Sequence, residues 1–185
     1  MKKLFSSLVI AALLQLPAVN AQPIPEKNND AVNGQVTLPD NSVMNGAVKD
    51  NIRKKGEVIL LQDGKKTRYN ADQVTSVQVG HTTYMTNNNT FYELIWQGRS
   101  ITLLRKASRS SAIQYNGTDV VSASGSEGDV DDLFVKRAND PSFHLLTRKN
   151  QKEVLAMSCS TCKIDETKFD TESVKKAVAD CDSCK

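Results

Sequence analysis

The sequence contains few of the residues from which active sites are most often built. It has two histidines, one tryptophan and four cysteines in 185 residues, and aromatic residues make up 5% of the chain. No Gly-x-Ser-x-Gly elbow, phosphate loop or His-Glu-x-x-His motif is present. No sequence pattern pairs either histidine with a nucleophile, so we predict that His81 is a turn residue and His144 a strand residue. These absences predict a protein that is not an enzyme.

The sequence also lacks long apolar runs, except for one at its beginning. Lys2 and Lys3 precede a mostly apolar segment, residues 4–16, and small residues follow at Val19-Asn20-Ala21. Because this order is typical of an export signal, we predict a signal peptide over residues 1–21. The apolar segment is shorter than the about 20 residues that a membrane-spanning helix needs. We therefore expect an exported protein, located in the periplasm, at the cell surface or outside the cell, with no transmembrane segment after signal cleavage.

An excess of charge of one sign is absent too. The formal net charge is +3, and cleavage after residue 21 would remove two lysines and leave +1. Basic residues cluster only in short groups, at Arg53-Lys54-Lys55, Lys65-Lys66 and Lys175-Lys176. Nucleic-acid binding requires a longer basic stripe, so we interpret these groups as solvated faces and predict no nucleic-acid partner.

Short β-branched and aromatic runs, separated by Gly, Asn or Asp, occupy most of the chain after a polar lead-in. This pattern is typical of antiparallel strands. We predict a flexible lead-in over residues 22–33 and a β-rich domain over residues 34–148, built as an antiparallel sandwich or small barrel. The acidic residues of its last part, which are Glu127, Asp129, Asp131 and Asp132, lack the spacing of a calcium loop and predict an exposed acidic loop.

The strongest run, residues 91–96, predicts a strand that is covered on both sides. Alternation along a strand places Tyr92, Leu94 and Trp96 on one face and Phe91 and Ile95 on the other. Since both faces are apolar, we expect a central strand. Its predicted partner is the run at residues 101–104, across the turn at Gln97-Gly98.

Helical periodicity replaces the strand pattern in the last part of the chain, residues 149–185. Asn150 followed by Glu153 resembles a helix start, and Asp170 or Thr171 can cap a second helix. An apolar stripe on the second helix comprises Val174, Ala177, Val178 and Cys181. The predicted fold class is therefore mainly β with a C-terminal helical segment (α+β), in which two short helices follow the sheet.

All cysteines lie in this helical segment, as Cys159-Ser-Thr-Cys162 and Cys181-Asp-Ser-Cys184. In an exported protein, an even number of cysteines predicts disulfides, so all four are disulfide candidates. An alternative is a zinc site formed by the same four cysteines, whose spacing also fits a tetrahedral centre. A second alternative is thiol–disulfide exchange, although neither pair lies in the βαβ context of known exchange motifs.

The spacing of the helices limits how the two cysteine pairs could meet. If the helices formed a tight hairpin, Cys181 would lie about 15 Å along the second helix from the turn. A disulfide requires Cα atoms within about 7 Å. Bonds between the pairs therefore require an extended connection over residues 163–170, which would bring the C-terminal ends of both helices together.

Strand and turn motifs follow one another in the middle of the chain: Tyr69-Asn-Ala-Asp-Gln-Val-Thr-Ser-Val-Gln-Val-Gly80, Thr83-Tyr84-Met85, Phe91-Tyr-Glu-Leu-Ile95, Gly98 and Leu103-Leu104. These motifs resemble those of a group of small exported β-rich proteins of Bacteroidota with a helical C-terminal end. The group has no established activity, so the resemblance implies a fold and assigns no functional residue. Its usual ending is a helix that closes on Tyr-Asn, where this chain has Asp180-Cys181.

The sequence therefore predicts an exported, non-enzymatic binding or structural module that acts on an unknown protein or cell-envelope partner. Its C-terminal segment is expected to be stapled by disulfides, with no cofactor. The alternative function depends on the cysteines themselves, either as a zinc-binding site or as an exchange protein.

Overall fold

The computed structural model describes residues 30–109, 115–116, 119–120, 128–156 and 168–183. The described chain is mainly antiparallel β-sheet with short helices, and this confirms the predicted fold class. The strands are β1 (Ala31–Thr37), β2 (Val43–Asn51), β3 (Glu57–Gln62), β4 (Lys65–Asn70), β5 (Ser76–Val79), β6 (Thr82–Asn87), β7 (Thr90–Gln97), β8 (Ile101–Lys106), β9 (Tyr115–Asn116), β10 (Asp119–Val120), β11 (Leu133–Arg137) and β12 (Phe143–Leu146). The helices are α1 (Ile52–Lys55), α2 (Gln151–Ala156) and α3 (Thr171–Asp182).

Ten of the strands form one continuous sheet in the order β12-β11-β8-β7-β6-β5-β1-β2-β3-β4, and β9 pairs with β10 separately. Most neighbours are consecutive in sequence and pair as antiparallel hairpins. Two pairs are exceptions: β1 pairs with β5 as well as with β2 and so joins the two halves of the sheet, and β8 pairs with β11. The strands of the predicted sandwich or barrel thus belong to a single sheet, with β12 and β4 at its two ends.

This sheet is strongly curved. The hydroxyl of Tyr84 on β6 donates a hydrogen bond of 2.8 Å to Asp50 on β2, although β5 and β1 lie between these strands. In a flat sheet the two strands would be about 14 Å apart, which is farther than the two side chains can span. The curvature encloses an inner core, formed mainly by Val36, Val48, Ile52, Val58, Leu60, Val77, Tyr84 and Phe91.

Two further clusters lie on opposite faces of the other half of the sheet. Helices α2 and α3 cover one face and form a helix core with Ile101, Leu103, Leu133, Val135, Leu146, Leu155, Val174, Val178 and Cys181. An aromatic cluster covers the other face and is formed by Tyr92, Leu104 and Phe134, with Phe143, Leu145, Leu94 and Met85 at its edge. Successive residue pairs between β8 and β11 therefore belong alternately to the helix core and to the aromatic cluster.

Strand β7 is covered on both faces, as the sequence predicts, but one of its residues points to the unexpected side. Phe91 is fully buried in the inner core, and Tyr92 is 1% exposed in the aromatic cluster. The predicted pairing with β8 is confirmed, but its register shifts at a bulge between Leu94 and Trp96. The extra residue of a bulge breaks the alternation of faces. The prediction that Trp96 shares a face with Tyr92 is therefore wrong, because Trp96 packs with Ile95 against the helix core.

The sheet also begins earlier than the sequence predicts. Strand β1 starts at Ala31, so the last residues of the predicted lead-in are part of the sheet. Val32 pairs with Val48 and Asn33 with Ala47, which extends the hairpin with β2 beyond the Gly34–Gly46 pair. The ladder with β2 holds these residues in the strand in spite of the low strand propensity of Asn and Gly. Residues 22–29 lie outside the described part of the chain.

Helix α3 has the start and the apolar stripe that the sequence predicts. Asp170 is the N-cap, and its side chain accepts a hydrogen bond of 2.9 Å from the backbone N–H of Ser173. Helix α2 begins at Gln151, next to the predicted cap Asn150, and residues 157–167 lie outside the described ranges. Within those ranges, no helix has the length and apolar character required to cross a membrane.

Candidate functional site

The structure places one of the four predicted cysteine site residues within its described part. Cys181 lies on α3, where it is 2% exposed and packs in the helix core that also contains Leu155 of α2. Cys181 is not a free thiol. Cys159, Cys162 and Cys184 lie outside the described residues. The helix core therefore brings α2 next to the end of α3, where Cys181 is buried.

The residue after Cys181 anchors the end of α3 to the sheet. The carboxylate of Asp182 accepts three backbone hydrogen bonds from the turn between β7 and β8: 2.8 Å from Arg99, 2.6 Å from Ser100 and 3.0 Å from Ile101. Burial of Asp182 acts to raise its pKa, but the three N–H donors outweigh burial, so the pKa lies below the ordinary aspartate value. The carboxylate is therefore held in its charged form.

Gly98 makes room for this anchor. A Cβ atom at position 98 would collide with the ring of Trp96 and with the Asp182 carboxylate. The backbone N–H of Gly98 also closes the turn by donating a hydrogen bond of 2.9 Å to the carbonyl of Ile101. A residue without a side chain is required here, because the turn and the end of α3 approach each other so closely.

A second polar arrangement crosses the inner core and orders the start of α1. One oxygen of Asp50 accepts the Tyr84 hydroxyl, and the other accepts the backbone N–H of Ile52 at 2.8 Å. Tyr84 is 5% exposed. Burial, followed by the hydrogen bond to Asp50 and its negative charge, raises the pKa of Tyr84 above its ordinary value. The tyrosine therefore stays protonated and acts as a donor that holds Asp50.

Substitution Tyr84→Phe is expected to lower the free energy of unfolding by about 2 kcal/mol, because it removes one buried hydrogen bond to a charged acceptor. The matched control is Tyr69→Phe, since the Tyr69 hydroxyl donates at 3.1 Å to the sulfur of Met44, which is a weak acceptor. Urea unfolding of both variants measures the difference. An equal loss in the two variants would show that the hydrogen bond to Asp50 contributes no more than the weak contact to the Met44 sulfur.

Next to this arrangement, an ion-pair network connects β7, β8, α1 and the acidic loop. Glu93 and Arg105 face each other across β7 and β8, and two Arg105 nitrogens donate to one Glu93 oxygen at 2.7 Å and 3.2 Å. Arg53 of α1 lies 3.6 Å from the same Glu93 oxygen and 2.8 Å from Asp131. The hydrogen bond to Asp131 raises the pKa of Arg53. Carboxylates on both sides therefore fix the position of Arg53.

A basic pocket opens beside Arg53. Its volume is about 470 Å³, and its lining comprises Ile52, Arg53, Lys54, Lys55, Gly56, Arg109 and Val130. Gly56 ends α1 in the left-handed conformation, with φ 67° and a hydrogen bond of 2.8 Å from its N–H to the Ile52 carbonyl. The fold therefore brings four cationic side chains from two separate chain segments to one cavity.

Of the four acidic residues that precede β11, Glu127 lies outside the described residues, and the described ones make contacts within the fold. Asp131 pairs with Arg53, and Asp132 accepts a hydrogen bond of 2.6 Å from the backbone N–H of Asp129. In the described part of the chain, no group of three or more His, Cys, Asp or Glu side chains could hold a metal ion.

The histidines lie where the sequence predicts. His81 is exposed in the turn between β5 and β6, and His144 lies on β12. The structure adds that His144 Nε2 is 2.6 Å from Asp140 and 3.0 Å from an Arg137 nitrogen. The hydrogen bond to His144, together with those from Ser142 and Arg137, holds the pKa of Asp140 well below its ordinary value. The contacts among Arg137, Asp140 and His144 stabilise the hairpin that β11 and β12 form.

Fold and site together define an α+β protein in which one curved antiparallel sheet carries a basic pocket and an anchored C-terminal helix. Comparison of the chain with protein-family models, with curated proteins and with solved structures found no match.

Proposed function

We propose that the protein is an exported, non-enzymatic binding module whose C-terminal helical segment is stapled by disulfides among Cys159, Cys162, Cys181 and Cys184. It works in the periplasm, at the cell surface or outside the cell. The sequence carries the export part of this proposal through the signal-like segment that ends at Ala21. The partner is a protein or another component of the cell envelope.

The state and environment of Cys181 are the observation that carries the proposal. The residue is 2% exposed in the helix core and is not a free thiol. Both properties are expected of a cysteine that forms a disulfide. It is also adjacent to Asp182, whose three backbone hydrogen bonds fix the end of α3 on the sheet. A disulfide at this position would add a covalent constraint to an end that is already anchored.

A binding role is supported by the contrast between a rigid scaffold and an open cavity. The inner core and the helix core are densely buried, whereas the basic pocket at α1 is lined by exposed cationic side chains. Cavities of this size are typical of ligand sites, which usually occupy preformed clefts of about 300–1,000 Å³. Function is assigned from such a site and not from the fold.

The test is the intact mass of the exported protein, purified from the compartment in which it accumulates. We expect the mass of a chain that begins at Gln22, and four alkylated cysteines only when the protein is reduced before alkylation. Unreduced protein serves as the control. Four thiols that react without reduction, together with one bound zinc ion, would overturn the disulfide proposal and favour the zinc alternative. A full-length mass would contradict export through signal cleavage.

A further inference from the structure

We propose that the basic pocket at α1 is a binding site for a phosphoryl group, presented as a phosphate ester or as free phosphate. The inference rests on the proposed function as a binding module and names the ligand chemistry of its pocket. Arg53, Lys54 and Lys55 approach the cavity from α1, and Arg109 approaches it from the segment that follows β8. All four residues are exposed.

Charge balance is the first argument. Arg53 is neutralised by Asp131 at 2.8 Å and by Glu93 at 3.6 Å. Within the described residues, Lys54, Lys55 and Arg109 take part in no ion pair. Among the described residues that line the cavity, none carries a carboxylate. Three cationic groups therefore face one small volume without a counter-charge, in a chain whose overall charge is close to neutral.

The chemistry of the lining favours phosphate over a simple carboxylate. A phosphomonoester carries about 1.5 to 2 negative charges at pH 7 and presents three acceptor oxygens, which suits several convergent cations better than a single carboxylate does. Arginine matches phosphate with paired N–H donors, and lysine adds a mobile point charge. Arg109 together with Lys54 and Lys55 supplies both kinds of donor.

The shape of the pocket leaves room for such a group and its substituent. Gly56 carries no side chain, and among the described residues beyond its chain neighbours the nearest atom to an added Cβ would be the Arg109 carbonyl oxygen, at 4.0 Å. Ile52 and Val130 are the apolar side chains of the lining. A volume of about 470 Å³ exceeds what one phosphate needs, so the esterified part of a ligand can enter.

A simpler explanation accounts for only part of this arrangement. Cations in the last turn of a helix interact favourably with its carbonyl end, which would explain Lys54 and Lys55 without a ligand. However, α1 has four residues, so few carbonyl dipoles are aligned. The helix end also does not explain Arg109, which comes from a different segment and increases the local repulsion unless an anion is bound. An anion relieves this repulsion.

The first arm of the test is a titration of isotope-labelled protein with sodium phosphate at constant ionic strength, followed by the backbone amide signals of Gly56 and Arg109. We expect saturable shifts, and an affinity at least about tenfold lower in the double variant Lys54→Gln/Arg109→Gln, because two donors to the anion are lost. The matched control is Arg148→Gln/Lys149→Gln, which removes the same charge from an exposed turn before α2. We expect the control to bind within about twofold of the original protein.

The second arm separates free phosphate from lipid phosphate. Sedimentation with vesicles of phosphatidylcholine alone, or mixed with phosphatidylglycerol, measures whether the pocket binds anionic headgroups. Binding to mixed vesicles that the Lys54→Gln/Arg109→Gln variant loses would identify a lipid source, and a response to sodium phosphate alone would identify a soluble phosphate. Either result supports the site.

Three results would overturn the proposed phosphoryl site. One is the absence of a saturable response in both arms. Another is an equal loss of affinity in the two double variants, which would reflect net charge alone. The third is an identical shift on addition of sodium chloride. None of these results affects the thiol and mass measurements, so failure of the phosphoryl site is distinguishable from failure of the proposed exported, disulfide-stapled module.

Discussion

Replacement of Asp182 by alanine is expected to lower the free energy of unfolding by about 3 kcal/mol, because the charged acceptor of three backbone N–H groups is lost. Ile101, one of the donors, is 1% exposed, so water cannot readily replace the carboxylate there. The same carboxylate joins α3 to the turn between β7 and β8, and its loss would free the end of the helix. Urea unfolding monitored by circular dichroism measures the change.

Two comparison variants separate the contributions of charge and of helix surface. Asp182→Asn keeps the shape and one acceptor oxygen but removes the charge, so we expect an intermediate loss. Lys176→Ala changes an exposed position of the same helix and is expected to alter stability by no more than about 0.5 kcal/mol. If Asp182→Ala costs no more than Lys176→Ala, the anchor does not hold α3 to the sheet.

Acidification provides an independent measure of the same anchor. Because the folded-state pKa of Asp182 is depressed, its contribution is complete above the unfolded pKa of about 3.9 and is lost as the pH falls through the folded value. The stability of the original protein should therefore fall below about pH 4. In Asp182→Asn this component should be missing, so its profile should be flatter. Parallel acid profiles of the two proteins would contradict a role for the charge.

Features that depend on neighbouring residues could be predicted from the sequence. The cap at Asp170 and the stripe of α3 follow from spacing within one helix, and the β7–β8 hairpin follows from a turn between two apolar runs. Strand β4 was not predicted, because its sequence Lys-Lys-Thr-Arg-Tyr-Asn is polar and exposed. It becomes a strand through its ladder with β3, and it can be polar because it lies at the edge of the sheet. The bulge in β7 likewise gave no local signal.

The candidate site depends on contacts between distant parts of the chain. Asp182 meets the turn at Arg99 across 83 residues, and Arg53 meets Asp131 across 78. Arg53-Lys54-Lys55 can be recognised in the sequence as a short basic group, but the sequence does not show that Arg109 lies beside this group. Sheet order decides this, because β1 joins the hairpins of β2–β4 to those of β5–β8. The periodicity within either half of the sheet does not predict that β1 joins the two halves.

Substitution Phe134→Ala is expected to produce the largest loss, about 4 kcal/mol in the free energy of unfolding, because a fully buried aromatic ring leaves a cavity. Phe134 is 1% exposed and lies on the sheet face opposite the helix core. Its ring meets Tyr92 edge-to-face, with centroids 5.1 Å apart. The loop before β11 closes over it, since an added Cβ on Gly128 would lie 3.1 Å from the Phe134 ring. Chemical unfolding measures the loss.

Phe143 provides the matched control for this prediction, because it makes the same kind of contact from a less buried position. Its ring also meets Tyr92 edge-to-face, at 4.8 Å, but Phe143 is half-buried on β12, at the end of the sheet. Partial burial leaves a smaller cavity, so Phe143→Ala should cost about 1 to 2 kcal/mol. Equal losses would show that the ring contact with Tyr92 outweighs burial. A clearly larger loss for Phe134 would show that this half of the sheet is stabilised from both faces, by the aromatic cluster as well as by the helices.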